Sequence, residues 1–346
     1  MLSPLSIEVS RRLTNRARWK PLEIAFWLVA ASTIYFLPGR HLILTEIAIL
    51  ALFALSLDLI LGYAGIISLG HAAFFGLGAY VAGLLAKHAI VTEPTLALVV
   101  AGLVAAAVGF ATSFLVLRGS DLTRLMITLG VALVLRELAN KYSELTGGAD
   151  GLQGISMAPV LGIFRFDLSG HTAYVYSFIV LFVLFAIARR IVNSPFGLSL
   201  RSVKGNPLRA GAIGIAVNRR LVAIYVVAAF YAGVAGALLT QTTAFASLDV
   251  FSFDRSADLL LVLILGGTGY LYGGLVGAVL FKLVQDWLAN LTPQYWQFWL
   301  GLALVVIVIT GRERMARPVA AARGLGRRIG KRIWRGFGVA SGPSGR

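Results

Sequence analysis

The sequence predicts an all-α protein, a polytopic integral membrane helical bundle with about ten crossings that include broken or re-entrant glycine-rich helices. Three observations predict it. Of 346 residues, 58% are hydrophobic and only 13% charged, and the mean hydropathy is +0.84, more apolar surface than one soluble core buries. Apolar stretches long enough to cross about 30 Å of hydrocarbon recur between residues 22 and 310. Two hydrophobic regions, 62–80 and 257–288, are crowded with glycine, which a uniform lipid-facing helix disfavours.

Taken in order, the apolar segments are 22–38, 42–62, 73–91, 96–117, 122–140, 172–192 and 220–240, then a glycine-rich region 257–288, and last 294–310. Run 22–38 lacks a small-x-small cleavage site and is expected to stay as the first span. Segment 122–140 is the least apolar, with Asp121, Arg124, Arg136 and Glu137 at its ends and Thr128, Gly130 and Ala132 in its middle. It is expected among other helices or beside a polar path rather than against lipid. Glu46, Asp58, Lys87, His88, Lys282 and Asp286 lie mostly near span ends, where snorkelling is the expected arrangement.

Charge sets the topology. Residues 1–20 carry Arg11, Arg12, Arg16, Arg18 and Lys20 against Glu8, and residues 311–346 carry ten basic groups against Glu313. Residues 189–220 hold Arg189, Arg190, Arg201, Lys204, Arg209, Arg219 and Arg220 with no acid. The positive-inside rule puts all three in the cytoplasm. With the first seven segments crossing once each, 257–288 must cross twice to return the tail inside. The near-neutral loop 141–171 then falls outside. This divides the chain into a basic cytoplasmic segment 1–21, a transmembrane domain 22–310 with a cytoplasmic loop 193–219, and a basic cytoplasmic tail 311–346. Clustered juxtamembrane cations favour anionic lipid, so no nucleic-acid partner is expected.

Three blocks stand out. In the first, Gly62, Gly65, Gly70, Gly76 and Gly78 fall within a hydrophobic run that also holds Ser68, His71 and Phe74. In a helix interior each glycine costs about 1 kcal/mol relative to alanine. Either close helix packing or a break beside a pathway accounts for them. Gly65, Gly70 and Gly76 are expected at or beside that break. In the second block, Gly266, Gly267 and Gly269 precede Gly273 and Gly277, and positions 269, 273 and 277 share one helical face. The third, 194–218, is expected to form a short helix over 195–204, a second near 207–213 begun by Pro207, and a stop at Gly214. Its apolar centre, Phe196, Leu200 and Ile213, is expected to meet a protein partner.

Without cysteine, thiolate chemistry and disulfides are excluded. The four histidines form no ligand or acid–base spacing, so neither a metal nor a catalytic residue is expected. The run Gly326 to Arg332 lacks the glycine spacing and the Ser/Thr after Lys331 that a phosphate loop needs.

The blocks together resemble the permease subunits of ATP-binding-cassette importers for branched-chain amino acids. The matching residues are Gly62-Tyr63-Ala64-Gly65, Ser68-Leu69-Gly70-His71-Ala72 and Gly76-x-Gly78-Ala79-Tyr80, then Leu117-Arg118-Gly119 and Thr146 through Leu152. They continue with Ser194-Pro195-Phe196-Gly197, Arg201, Asn206, Ala210, Gly214-Ile215 and Gly266-Gly267-x-Gly269 with Gly273 and Gly277-Ala278. The resemblance covers about residues 42–310 and implies a non-enzymatic transport subunit without cofactors, in a bacterial cytoplasmic membrane with both termini inside. It implies a second permease subunit, two cytoplasmic ATPase subunits and an extracytoplasmic solute-binding protein as partners, besides the bilayer. Gly65, Ser68, Gly70, His71, Phe74, Gly76, Thr128, Gly266, Gly267 and Gly269 become candidates for the translocation path. Pro195, Phe196, Gly197, Arg201, Asn206, Ala210, Gly214 and Ile215 become candidates for ATPase coupling. Where relatives carry acids in that loop, this chain has Gly205 and Gly211, and Ser120 to Arg124 also departs from the family pattern. Urea, short amides and sugars are alternative solutes of related permeases, and an ion-coupled secondary transporter is the alternative mechanism.

Overall fold

The computed structural model describes residues 19–37, 39–167, 169–291, 293–295, 298–299, 301–302 and 305. The basic segment before Trp19, most of 294–310, and the tail with its Gly326 to Arg332 run lie outside the described residues. The chain divides into two compact units, Met1–Leu283 and Val284–Arg346. The bundle below belongs to the first, which contains its last helix only as far as Leu283.

Its helices are α1 Pro21–Phe36, α2 His41–Ala64, α3 Ala72–Lys87, α4 Pro94–Val116, α5 Asp121–Lys141, the single turn α6 Ser143–Thr146, α7 His171–Val192, α8 Pro195–Gly205, α9 Pro207–Ala212, α10 Val217–Thr243, α11 Phe253–Gly266 and α12 Leu271–Leu291. Strand-like pairing among the described residues is confined to isolated antiparallel bridges, Leu152 with Ala246 and Val160 with Phe164. Starts follow local chemistry. Proline occupies the first turn of α1, α4, α8 and α9, where its missing N–H has no helical acceptor to lose. Glu93, Ser194 and Asn206 cap α4, α8 and α9 with side-chain oxygens.

The molecule is a helical membrane bundle. α2, α4, α7, α10 and α12 are long and apolar enough to cross a membrane, and α1 and α3 are shorter apolar helices. The least apolar long helix, α5, buries only Thr128, Ala132 and Ala139. Within this chain it is therefore not surrounded by other helices, the first of the two arrangements expected of it. Region 257–288 is divided between α11 and α12 by a break at 267–270, and of the two only α12 is long and apolar enough to cross a membrane.

α10 is the hub, packed along α4, α3 and α2. It approaches its neighbours backbone to backbone: a methyl group on Gly236 would lie 1.8 Å from the Phe75 carbonyl oxygen, and one on Gly78 would lie 2.0 Å from that of Gly233. Such contacts bury little side-chain area but many close atom pairs, the means by which helices associate where lipid removes the hydrophobic drive. α1 is fastened to α7 by Trp27, whose ring lies 4.9 Å from Phe182 and 5.1 Å from Phe185. The Arg189–Glu23 ion pair at 2.8 Å joins the same two helices.

Outside the helices, the Thr146 to Leu152 block makes a tight turn. Gly147 and Gly151 take positive φ of +81° and +76°, and a methyl group on Gly147 would lie 2.0 Å from the Gly151 carbonyl oxygen. The Leu152 N–H then donates to the Ala246 carbonyl at 2.7 Å, which ties the turn to the end of α10.

Candidate functional site

The first glycine block is a break. α2 ends at Gly65, whose φ of +76° is left-handed, and helical geometry resumes at Ala72. Main-chain groups freed between them are taken up by other elements, as buried backbone requires. The Leu69 N–H donates to Thr128 Oγ1 of α5 at 3.3 Å, and the Ala72 N–H donates to Ser256 Oγ of α11 at 3.1 Å. Gly70 sits so close to α5 that a methyl group there would meet the Thr128 carbonyl oxygen at 1.7 Å. Gly76, expected beside the break, lies inside α3, where the Phe251 ring would meet an added methyl group at 2.5 Å. Packing, not chain reversal, explains it.

His71 and Phe74 face inward. His71 is fully buried, stacked 5.8 Å from Phe53, and its Nε2 lies 2.8 Å from Ser56 Oγ. The Ser56 hydroxyl donates to the Phe53 carbonyl at 2.6 Å. That leaves its oxygen to accept from Nε2–H and assigns the proton to that nitrogen. Phe74 packs edge-on against Tyr225 at 5.6 Å. Both residues hold the start of α3 against α2 and α10. Ser68 is also buried, and its hydroxyl has no partner among the described residues.

The second glycine block meets the first. The Gly269 N–H donates to Asp58 Oδ1 at 2.7 Å, and Gly267 and Gly269 both have positive φ. Asp58 is thus wholly buried near the end of α2 and does not snorkel. Glu46, by contrast, pairs with Lys282 at 2.5 Å while its side chain stays half exposed. Gly269 lies outside any helix, so the expected single face of 269, 273 and 277 is cut to two: Gly273 and Gly277 abut α11, where methyl groups would lie 2.0 Å from the Gly267 and 2.1 Å from the Val262 carbonyl oxygens.

The 195–215 loop closes onto the same point. α8 and α9 form with a two-helix geometry close to that expected, joined at Asn206, and Gly214 stops the second with φ +87°. Leu200, Val203 and Ala210 are buried, and Gly197 is pressed against Val192, whose carbonyl oxygen would lie 2.1 Å from an added methyl group. Leu200 therefore faces the bundle and is not presented to a partner. Phe196 is half-buried beneath the Arg220 guanidinium at 5.3 Å. The apolar groups left outward are Leu198, Leu208 and Ile213, at 43%, 87% and 71% exposure. From α8, Lys204 Nζ donates to the Gly62 carbonyl at 2.7 Å, and the Arg201 guanidinium lies 5.3 Å from the Tyr63 ring. Asp58, Lys204, Ser56 and Ser256 were not among the sequence-derived site residues. Lone polar residues in apolar or basic runs carry no periodic signal that names a partner.

Two interrupted helix pairs thus meet beside a two-helix loop in a bundle of apolar helices. The chain belongs to the family described as branched-chain amino acid transport system / permease component, which it matches over residues 40–309. It is 26% identical over 300 residues to the high-affinity branched-chain amino acid transport system permease protein LivM of Escherichia coli (strain K12), covering 80% of this chain and 70% of that one. The LivM of Salmonella typhimurium is 27% identical over the same shares. The probable branched-chain amino acid transport permease protein LivH of Methanocaldococcus jannaschii is 28% identical over 247 residues, 69% of this chain and 76% of the relative. No solved structure matches the chain.

Proposed function

We propose that this permease subunit forms one side of the translocation path of an ATP-driven importer in a bacterial cytoplasmic membrane, and that its solutes are branched-chain amino acids. The observation that carries the reading is the convergence of three family-matching blocks at Asp58, Gly62 and Lys204. The 65–71 break, the 267–270 break and the 195–215 loop are bonded to one helix end. Gly65, Ser68, Gly70, Thr128, Gly266, Gly267 and Gly269 border the path in this proposal, while His71, Phe74 and Gly76 set the position of α3 behind it.

α5 supplies the second support. It leaves Leu122, Met126, Leu133, Val134 and Leu138 exposed on a helix that also carries Arg136 and Glu137. Lipid alone is a poor cover for such a helix. A second permease subunit lies over α5, and the solute passes between the two. Two cytoplasmic ATPase subunits and an extracytoplasmic binding protein complete the assembly.

The topology with cytoplasmic termini and about ten crossings follows from charge parity. It requires the end of α4 and the start of α10 to lie on one side. Arg118 and Arg219 line the same groove, which supports that arrangement. In this frame, α9 with Leu208 and Ile213 docks on an ATPase, and Pro195, Phe196, Gly197, Arg201, Asn206, Ala210, Gly214 and Ile215 shape the loop that holds it.

The test is reconstitution of the chain with its partner permease, ATPases and binding protein in vesicles. Leucine-loaded binding protein is expected to stimulate ATP hydrolysis and leucine uptake together. Leucine uptake by the chain alone along an ion gradient would overturn the reading.

A further inference from the structure

A groove of about 730 Å³ runs between the last turns of α4 and the first turns of α10. Its apolar floor includes Phe110, Phe114, Val222 and Val226, and Arg118 and Arg219 stand at its end. Phe110 and Phe114 are 50% and 49% exposed, with rings perpendicular at 5.0 Å. Both arginines are exposed, and neither has an ion-pair or hydrogen-bond partner among the described residues. The nearest acid in sequence, Asp121, is paired with Arg124 at 3.1 Å. The first turn of α10 holds none.

We infer that this groove binds an anionic glycerophospholipid, with an acyl chain along the apolar floor and the phosphate held between Arg118 and Arg219. The volume falls within the range of small-molecule sites. A guanidinium pair suits a phosphate by charge and by its forked donors. Two cations at the end of an apolar groove between membrane helices have the polarity of a lipid whose head lies at the interface and whose chain lies in hydrocarbon. A second copy of the chain fits worse, because two-fold pairing would set these arginines against themselves with no acid to meet them. The inference rests on the membrane placement and on the side assigned to the basic ends, and is independent of the solute.

The full chain is purified, exchanged between detergents, and its retained lipid measured by native mass spectrometry in the presence of phosphatidylglycerol or phosphatidylcholine. Phosphatidylglycerol is expected to stay bound to the wild type. The Arg118→Gln/Arg219→Gln variant is expected to retain about thirtyfold less, the effect of two cations at an anionic headgroup. Val226→Trp, which fills the floor and leaves both cations, is expected to lose lipid as well, and Arg165→Gln, in another loop, is expected to retain it. Equal retention by the double variant, or equal retention of phosphatidylcholine, overturns the inference. So does displacement of the lipid by inorganic phosphate, which would mark a free-anion site. Because the chain has no native cysteine, a Val222→Cys probe reports cleanly, and its efficient disulfide to a cysteine on a second permease chain would show a protein occupant instead. No ATPase or solute enters the measurement, so a failed transport reading leaves this result unaffected.

Discussion

Lys204 Nζ donates to the main-chain carbonyl of Gly62 across 142 residues of sequence, at 2.7 Å. A cation from α8 thereby caps the carbonyl end of α2, the end that carries the negative pole of the helix dipole. Removing it by Lys204→Met is expected to cost about 1 kcal/mol or less in thermal unfolding, since the residue is exposed and water replaces the donor. Solute-stimulated ATPase in the reconstituted complex is expected to fall much further than stability does. Equal stimulation in Lys204→Met and wild type would show that this bond takes no part in coupling.

The glycines of α5 and the first break separate two roles. Gly70→Ala drives a methyl group into the Thr128 main chain and is expected to destabilise by about 1–3 kcal/mol or to prevent folding. Gly130→Ala meets nothing within 4 Å and is expected to stabilise α5 by about 0.5–1 kcal/mol through helix propensity. Melting temperatures in detergent decide between this order and its reverse.

Asp58 tests both mechanism and packing. Asp58→Asn keeps an oxygen for the Gly269 N–H, so folding and ATP-driven uptake are expected to persist. Asp58→Leu leaves that N–H unmet and is expected to cost about 1–3 kcal/mol. Loss of uptake in a well-folded Asp58→Asn variant would point to an ion-coupled role for the carboxylate.

The loop carries two apolar faces with opposite duties. Leu208→Asp and Ile213→Asp alter outward side chains and are expected to weaken ATPase association at least tenfold without lowering the melting temperature. Leu200→Ala empties a fully buried position and is expected to destabilise by about 2–5 kcal/mol. Pull-down of the ATPase beside a melting curve checks the division, and a Leu208→Asp chain that still binds normally would count against α9 as the docking element.

Glu93 links α4 to the 157–164 segment: its carboxylate accepts from the Leu96 N–H at 2.8 Å and from the Leu161 N–H at 3.3 Å. Partial burial raises its pKa, but bonds from Thr95, Leu96 and Leu161 outweigh that and hold it below the ordinary glutamate value. A lowered folded-state value means that the contribution is present above the unfolded value and fades as pH falls through the folded one. The protection of the Leu161 N–H, its exchange rate taken relative to the intrinsic rate at each pH, is therefore expected to fall on acidification through that window, and Glu93→Ala is expected to abolish that fall at a cost of about 1 kcal/mol.

Much of this architecture was legible because local chemistry announces itself. Ser194-Pro195 and Asn206-Pro207 start helices with a cap and a ring whose missing N–H is harmless, so α8 and α9 could be placed from sequence, and glycine density located the breaks. What escaped was direction and partnership. Leu200 and Ile213 are similar letters in one loop, yet one is buried and the other 71% exposed. Gly76 and Gly70 look alike, yet one accommodates the Phe251 ring and the other the backbone of α5. The burial of Asp58 depends on Gly269, 211 residues away, and no periodicity reaches that far.

The bonds around the two breaks share a form: Leu69 to Thr128, Ala72 to Ser256, Gly269 to Asp58 and Gly62 to Lys204 each join a side chain to a main-chain group. A main-chain carbonyl is present whatever residue occupies its position, and a main-chain N–H wherever that residue is not proline, so substitution at the main-chain end of such a bond exerts little pressure for a matching change at the other. These junctions can thus outlast extensive drift among relatives while leaving no correlated pairs of substitutions for an alignment to detect. Their inheritance is written in the path of the chain.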